Sequence, residues 1–236
     1  MTVAPILATR ALTAFYGDFQ ALYGIDFEIG EGEAVAIIGA NGAGKSTFLR
    51  CLVNLPPGAR TGVELDGRTV GHLAAHDIVR LGVALVPEGR RLFASLTVED
   101  NLRIGGANAR PGPWTLRAIY RLFPILEERR HSAATTLSGG QQQMVAIGRA
   151  LMGNPRLLLC DEISLGLAPT VIKDIYAMLP LIRAEGTAIV LVEQDIGRAM
   201  QASDRAYCFQ EGRVSLTGKS SALTRADVAQ AYFGLH

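Results

Sequence analysis

The sequence of 236 residues lacks an excess of charge of either sign: 23 lysines and arginines stand against 22 aspartates and glutamates, a net charge of +1. That balance argues against a broad electrostatic footprint for nucleic acid or anionic lipid. Cysteine is scarce. Cys51, Cys160 and Cys208 are far apart, and an odd, unpatterned set argues against a disulfide framework and a zinc site. Free thiols in a reducing compartment are the expected state. Long apolar runs are missing too. AVAIIG, RLLLC and TAIVLV fall far short of the roughly 20 residues that span a bilayer. The N-terminal stretch MTVAPILATRALTAFYGDF has no basic start followed by an apolar segment, so no secretory leader is expected. Repeats and low-complexity tracts are absent.

What is present is short, continuous apolar runs separated by helical patterns. Such runs fit strands buried on both faces of a parallel sheet. Ile25, Phe27 and Ile29 alternate with Asp26 and Glu28, the period of a half-buried strand in an antiparallel first stretch. Core strands are expected at Ala34 to Ile38, Val83 to Val86, Leu157 to Cys160 and Ala188 to Val192. Hairpin turns are expected at Asp66-Gly67 and Glu211-Gly212. Helices are expected over Lys45 to Val53, over Gln142 to Met152 with Met144, Ile147 and Leu151 on one face, and over Pro169 to Glu185, kinked at Pro180. Thr97 with Asp100 resembles a capping box and should start another. The fold class is therefore α/β: a mostly parallel, doubly wound core with an antiparallel β-subdomain and an inserted helical subdomain. A single domain spans 1–236. Residues 1–87 and 151–236 form the core with its β-subdomain, and 88–150 the helical insert.

Three segments carry chemistry. Gly39-Ala40-Asn41-Gly42-Ala43-Gly44-Lys45-Ser46-Thr47 fits G-x-x-x-x-G-K-[ST] in full, after a buried strand and before a helix. The glycines let successive backbone N–H groups curl toward phosphate oxygens, and the helix aims its positive end at the same anion. Lys45 adds a charge for the β- and γ-phosphates, and Ser46 a hydroxyl for Mg²⁺. Alone, this loop says only that a nucleotide phosphate is bound, as in kinases and GTPases. The second segment, Leu157 to Glu162, is an apolar strand ending in two carboxylates. Asp161 is placed to hold Mg²⁺, and Glu162 to act as general base on the attacking water. The third, Leu137-Ser138-Gly139-Gly140-Gln141, opens a helix whose exposed N–H groups and serine hydroxyl form a second anion site.

LSGGQ standing between the phosphate loop and the acidic strand is the signature of the ABC (ATP-binding cassette) ATPases. The sequence resembles that family from about Leu12 to Val214. The resemblance implies a P-loop NTPase fold with ATP and Mg²⁺ as cofactors, and two cassettes paired head to tail. Each ATP would lie between Gly39–Thr47 of one copy and Ser138, Gly139 and Gly140 of the other. It also implies that Tyr16 stacks on adenine, that Glu88 takes the place of the glutamine that contacts Mg²⁺ and links to the membrane subunits, and that Gln194 takes the place of the switch histidine. Glutamine can donate a hydrogen bond to γ-phosphate but cannot carry a proton. Ala168 stands where an aspartate is usual and Ile163 where a proline is common. VPEGRRLF, SLGLAP and LVEQD resemble the shorter ATPase subunit of branched-chain amino-acid (LIV-type) importers. That likeness implies two transmembrane permease subunits, an identical or sister ATPase partner, indirectly a solute-binding protein, and a peripheral place on the cytoplasmic face of the plasma membrane. Competing expectations are an exporter or urea/amide importer ATPase, a soluble repair or translation ATPase (which usually carries coiled-coil insertions or two cassettes), and a small-molecule kinase, which would leave LSGGQ unexplained.

Overall fold

Side chains at alternate positions of a strand point to opposite faces, so a strand that is apolar throughout needs cover on both sides. That demand organises the molecule. The structure, a computed structural model, describes residues 4–56 and 62–233. Its strands are β1 (Leu7–Tyr16), β2 (Phe19–Ile29), β3 (Ala34–Gly39), β4 (Val63–Leu65), β5 (Arg68–Thr69), β6 (Val83–Val86), β7 (Leu157–Asp161), β8 (Ala188–Glu193), β9 (Arg205–Gln210) and β10 (Arg213–Lys219). The helices are α1 (Lys45–Leu52), α2 (Ala75–Arg80), α3 (Val98–Gly105), α4 (Leu116–Leu122), α5 (Pro124–Glu128), α6 (Gly139–Leu151), α7 (Pro169–Ala184), α8 (Ile196–Gln201) and α9 (Arg225–Phe233).

Two sheets form. One is antiparallel, ordered β2-β1-β4-β5. The other is six-stranded, ordered β10-β9-β3-β8-β7-β6, parallel except for β10. Both Asp66-Gly67 and Glu211-Gly212 take positive φ at each residue, as tight hairpin turns between antiparallel strands require. Along β7, Leu157 and Leu159 face the core shared with α1 and the antiparallel sheet, whereas Leu158 and Cys160 face the core built by α3 to α7. β8 divides in the same way, with Val190 and Val192 on the first side and Ile189 and Leu191 on the second. The third cluster packs α8 and α9 over β3 and β9.

α1 is held between the sheets by an aromatic chain. The Phe48 ring lies 5.2 Å from Phe27 and 5.3 Å from Phe209, and all three are fully buried. Each such ring contributes on the order of 2 kcal/mol by burial, and together they fix where the helix begins.

Three expectations change in detail. α6 starts at Gly139, three residues before the expected Gln142, because Ser138 is its N-cap. The glycines therefore occupy its first turn. The helix also buries Gln143, Val145, Ala146 and Gly148 besides Ile147 and Leu151, with Met144 only half-buried. It lies inside the helical cluster and has no single apolar face. At α3, Thr97 accepts from the Asp100 amide as expected, but the Asp100 carboxylate accepts from the Thr97 hydroxyl, so the reciprocal half of the box is replaced. α7 continues through Pro180 as one helix. The leader-free reading of the N-terminus includes residues 1–3, which lie outside the described residues.

Candidate active site

β3 ends at Gly39 and α1 begins at Lys45, so the intervening loop sits at the carboxyl end of a central parallel strand, where open α/β sheets place their ligands. Gly44, the N-cap of α1, has φ 98°, a conformation that side chains rarely adopt, and a Cβ there would meet Leu22 at 2.8 Å. The first turn of a helix leaves its N–H groups without intrahelical partners, and here that turn opens on a cleft of about 700 Å³.

Tyr16, Asn41, Gly42, Gly44, Lys45, Ser46, Thr47, Glu88, Glu162 and Gln194 all line this cleft. They come from β1, the phosphate loop, the ends of β6, β7 and β8, and α1. Lys45, only 4% exposed, donates to the Gly39 carbonyl at 2.8 Å and the Ala40 carbonyl at 3.1 Å, and its Nζ stands 3.4 Å from Glu162 Oε1. The other Glu162 oxygen accepts from Gln194 Nε2 at 2.6 Å. Glu162 is thus gripped from both sides. Its backbone is left-handed, φ 48°, and its amide donates to the Val192 carbonyl of β8. Tyr16 is 43% exposed, and its hydroxyl lies 3.3 Å from the Thr47 hydroxyl.

Ser46 Oγ donates to Asp161 Oδ1 at 2.9 Å. With Glu88 close enough to act electrostatically on Asp161, these groups form a set of hard oxygen donors, the type that suits Mg²⁺. Burial pushes the Asp161 carboxyl up to about 6, opposed by the Ser46 hydrogen bond and reinforced by Glu162 and Glu88. A carboxyl that holds its proton more tightly when folded favours folding at low pH, and that contribution is lost as pH rises through the folded value. Asp161→Asn should therefore stabilise the nucleotide-free protein at pH 7.5 by on the order of 1–3 kcal/mol, with the gain fading toward pH 4. Thermal melts across that range check this, and a melting point at pH 7.5 no higher than the parent's contradicts it.

Leu137, Ser138, Gly139, Gly140 and Gln141 do not line the cleft. Within one chain the structure does not bring them to the phosphate loop. They build a complete capping box instead: Ser138 Oγ accepts from the Gln141 amide and Gln141 Oε1 accepts from the Ser138 amide. Gly140 packs against Val171 of α7 so closely that a Cβ would lie 2.4 Å from a Val171 methyl. Ser138 stays exposed at the helix tip.

Sequence reasoning missed several residues. Phe19, Gln20, Ala21, Tyr23, Leu165, Glu211 and Gly212 also line the cleft. The two-residue turn after Tyr16 was the available sign that Phe19 would stand opposite it. A second missed feature is Arg149 of α6, which donates to the Arg90 and Arg91 carbonyls at 3.0 and 2.7 Å. It clasps the loop after Glu88, where both arginines have positive φ. Arg90 reaches on to Gln142 at 3.3 Å.

A glycine loop between a buried parallel strand and a helix, with a second strand that ends in adjacent carboxylates, Glu162 lining the cleft and Asp161 bonded to Ser46, defines a phosphate-loop nucleotide-binding cassette. The profile of the family described as ABC transporter matches residues 22–164, and the chain belongs to that family. It is 43% identical over 232 residues, 97% of this chain and 100% of the relative, to the high-affinity branched-chain amino acid transport ATP-binding protein BraG of Pseudomonas aeruginosa. Among solved structures, a nucleotide-free ATP-binding cassette from an ABC transporter matches with a TM-score of 0.82 at 26% identity, covering 97% of this chain and 99% of that one. A dimeric cassette in a post-hydrolysis state, bound to ADP and Pi, matches with a TM-score of 0.80 at 26% identity over 92% and 100%. The chain is an ATP-binding ATPase cassette. No helix among the described residues is long and apolar enough to cross a membrane.

Proposed function

We propose that this chain is the ATP-hydrolysing subunit of an importer for branched-chain or related amino acids. It works as a head-to-tail pair, with an identical or a sister subunit, on the cytoplasmic face of the membrane beneath two permease subunits that a solute-binding protein supplies. The observation that carries the reading is the Lys45–Glu162–Gln194 cluster in the phosphate-loop cleft, on a chain similar to BraG over its whole length. In this reading residues 88–150 are the helical part that presents the signature, and the rest is the core with its antiparallel sheet.

ATP enters with adenine against Tyr16 and its phosphates in the loop Gly39–Thr47. Lys45 gives up the Gly39 and Ala40 carbonyls for phosphate oxygens. Ser138, Gly139 and Gly140 of the partner subunit close on the γ-phosphate, a reading supported by an exposed Ser138 at a helix tip that lies away from the cleft of its own chain. Ser46, Asp161 and Glu88 would hold Mg²⁺, which would supply charge that neutralises the phosphates. Glu162 takes a proton from water as its oxygen attacks the γ-phosphorus, and the β–γ bridging oxygen leaves with ADP. Loss of γ-phosphate removes the contacts that favour the closed pair, and the pair opens.

Gln194 donates a hydrogen bond and carries no proton. Gln194→His should accordingly keep ATPase activity within about tenfold, while Gln194→Leu should lose roughly 10- to 100-fold, the worth of a charge-assisted hydrogen bond. Steady-state ATPase assays distinguish them, and equal loss in both would show that the amide itself is required.

Reconstitution of the chain with its permease pair in vesicles tests the whole reading. ATPase activity should rise with solute-loaded binding protein, and radiolabelled leucine, isoleucine or valine should accumulate inside. Activity indifferent to every membrane partner would reject it. Coupled accumulation of another amino acid, an amide or urea would reassign the solute.

A further inference from the structure

Glu193 is a carboxylate 2% exposed, immediately before Gln194 at the end of β8, and the steps above do not use it. A buried carboxylate is costly unless hydrogen bonds satisfy it, and here they do. Glu193 Oε1 accepts from the Tyr176 hydroxyl of α7 at 2.5 Å, and Oε2 accepts from the Ser164 hydroxyl at 2.9 Å. Ser164 Oγ in turn accepts from Arg198 of α8 at 3.0 Å, and the Arg198 guanidinium lies 5.7 Å from the centre of the Tyr176 ring. One carboxylate thus ties together β8, the loop after β7, α7 and α8.

Those are the elements that hold the hydrolytic pair. Ser164 stands two residues after Glu162, and Gln194 follows Glu193 directly. Glu162 adopts a left-handed backbone, a conformation that persists in a non-glycine residue only where the surroundings enforce it. Its own amide bond to Val192 fixes one side. Ser164, fastened to Glu193, fixes the chain on the other. We propose that Glu193 is a positioning residue for hydrolysis: through Ser164 and Tyr176 it locks the loop bearing Glu162 against the strand end bearing Gln194. It touches no part of the cleft that binds nucleotide, so its removal should alter turnover and leave binding intact. The inference rests on the roles of Glu162 and Gln194 proposed above.

The test uses Glu193→Gln, Ser164→Ala and Tyr176→Phe in the full chain, with kcat, KM, affinity for a fluorescent ATP analogue and the melting point measured for each. Tyr176→Phe keeps the ring and its packing, so it remains informative should Glu193→Gln fold poorly. Each variant should lower kcat about fivefold or more, the loss of one hydrogen bond at a positioned group, with KM and analogue affinity within about twofold of the parent. In the presence of Gln194→Leu, Tyr176→Phe should lower kcat by less than it does alone, because both act on the placement of Glu162. A purely structural role would lower the melting point, change kcat and KM together, and give independent, multiplying losses in the double variant; that result overturns the proposal. Wild-type kcat in folded Tyr176→Phe and Ser164→Ala also overturns it. Glu162→Gln, prepared alongside, separates the two levels. If it is inactive while the Glu193 set behaves as the parent, only this inference fails. If it hydrolyses ATP normally, the active-site reading fails and this inference with it.

Discussion

Glu162→Gln should bind MgATP with the affinity of the parent chain and hydrolyse it roughly 10²- to 10⁴-fold more slowly, the span associated with loss of a positioned general base. The substitution is nearly isosteric. It keeps an oxygen to accept from Gln194 Nε2, so the 2.6 Å contact survives. What it removes is proton affinity at the one carboxylate that faces both Lys45 and Gln194. It also removes the ion pair to Lys45, 3.4 Å long between side chains 4% and 10% exposed. Both lysine contacts to the Gly39 and Ala40 carbonyls remain, so the loop should stay formed. With closure intact and cleavage blocked, ATP should accumulate in a paired form of the chain. Size-exclusion chromatography with MgATP, set beside single-turnover hydrolysis, checks both halves. Parental turnover would remove Glu162 from the role of base, and slow turnover without pairing would separate closure from the intact triphosphate.

Most of the core and half of the site were legible because they are local in sequence. A phosphate loop is contiguous: the strand, the glycines, Lys45 and the helix lie within Ala34–Leu52, and each residue type carries its own reason. The carboxylates Asp161 and Glu162 end an apolar strand, so period and motif agreed. The start of α6 was misplaced by three residues because helix-disfavouring glycines read as a loop; a capping box at Ser138 and close packing on Val171 override that preference. The Met144 face failed for a different reason. A helix sunk among others is covered on nearly every side, and periodicity cannot show which neighbours surround it. The Arg149 clasp on the Arg90 and Arg91 carbonyls, and the Glu193 cluster, were invisible because their partners are far apart in the chain, and a family-like segment such as VPEGRRLF, SLGLAP or LVEQD does not say which distant side chain it meets.

The departures from the usual family pattern take on meaning in the same way. Gln194 keeps the geometry of a donor to Glu162, which explains how a residue unable to shuttle protons can occupy that place. Glu88 puts another carboxylate near Asp161, and the raised Asp161 value reflects part of that crowding. A bound cation would relieve it. Ala168 is the N-cap of α7 and makes no side-chain cap, and its methyl group has no donor or acceptor to offer a partner. Ile163 is fully buried in the helical-side core, where an apolar side chain packs and a proline ring is not needed.

Lys45→Ala should weaken ATP binding about 30- to 150-fold, equivalent to roughly 2–3 kcal/mol. The size follows from an exchange. A lysine that gripped two phosphate oxygens and had no partner beforehand would contribute more, since hydrogen bonds to charged groups are worth about 1.5–3 kcal/mol each. Here Nζ already donates to the Gly39 and Ala40 carbonyls and neighbours Glu162, and it must surrender those contacts to reach phosphate. Only the difference shows as affinity. The variant also leaves Glu162 without its nearest cation, so an incoming γ-phosphate meets an uncompensated carboxylate. For that reason ATP should lose more affinity than ADP, whose terminal phosphate lies farther from Glu162, and AMP should be unaffected. Isothermal titration with the three nucleotides measures the series. Equal losses for ATP and ADP would place Lys45 on the β-phosphate alone, and an ATP affinity within about twofold of the parent's would mean that backbone amides hold the triphosphate without it.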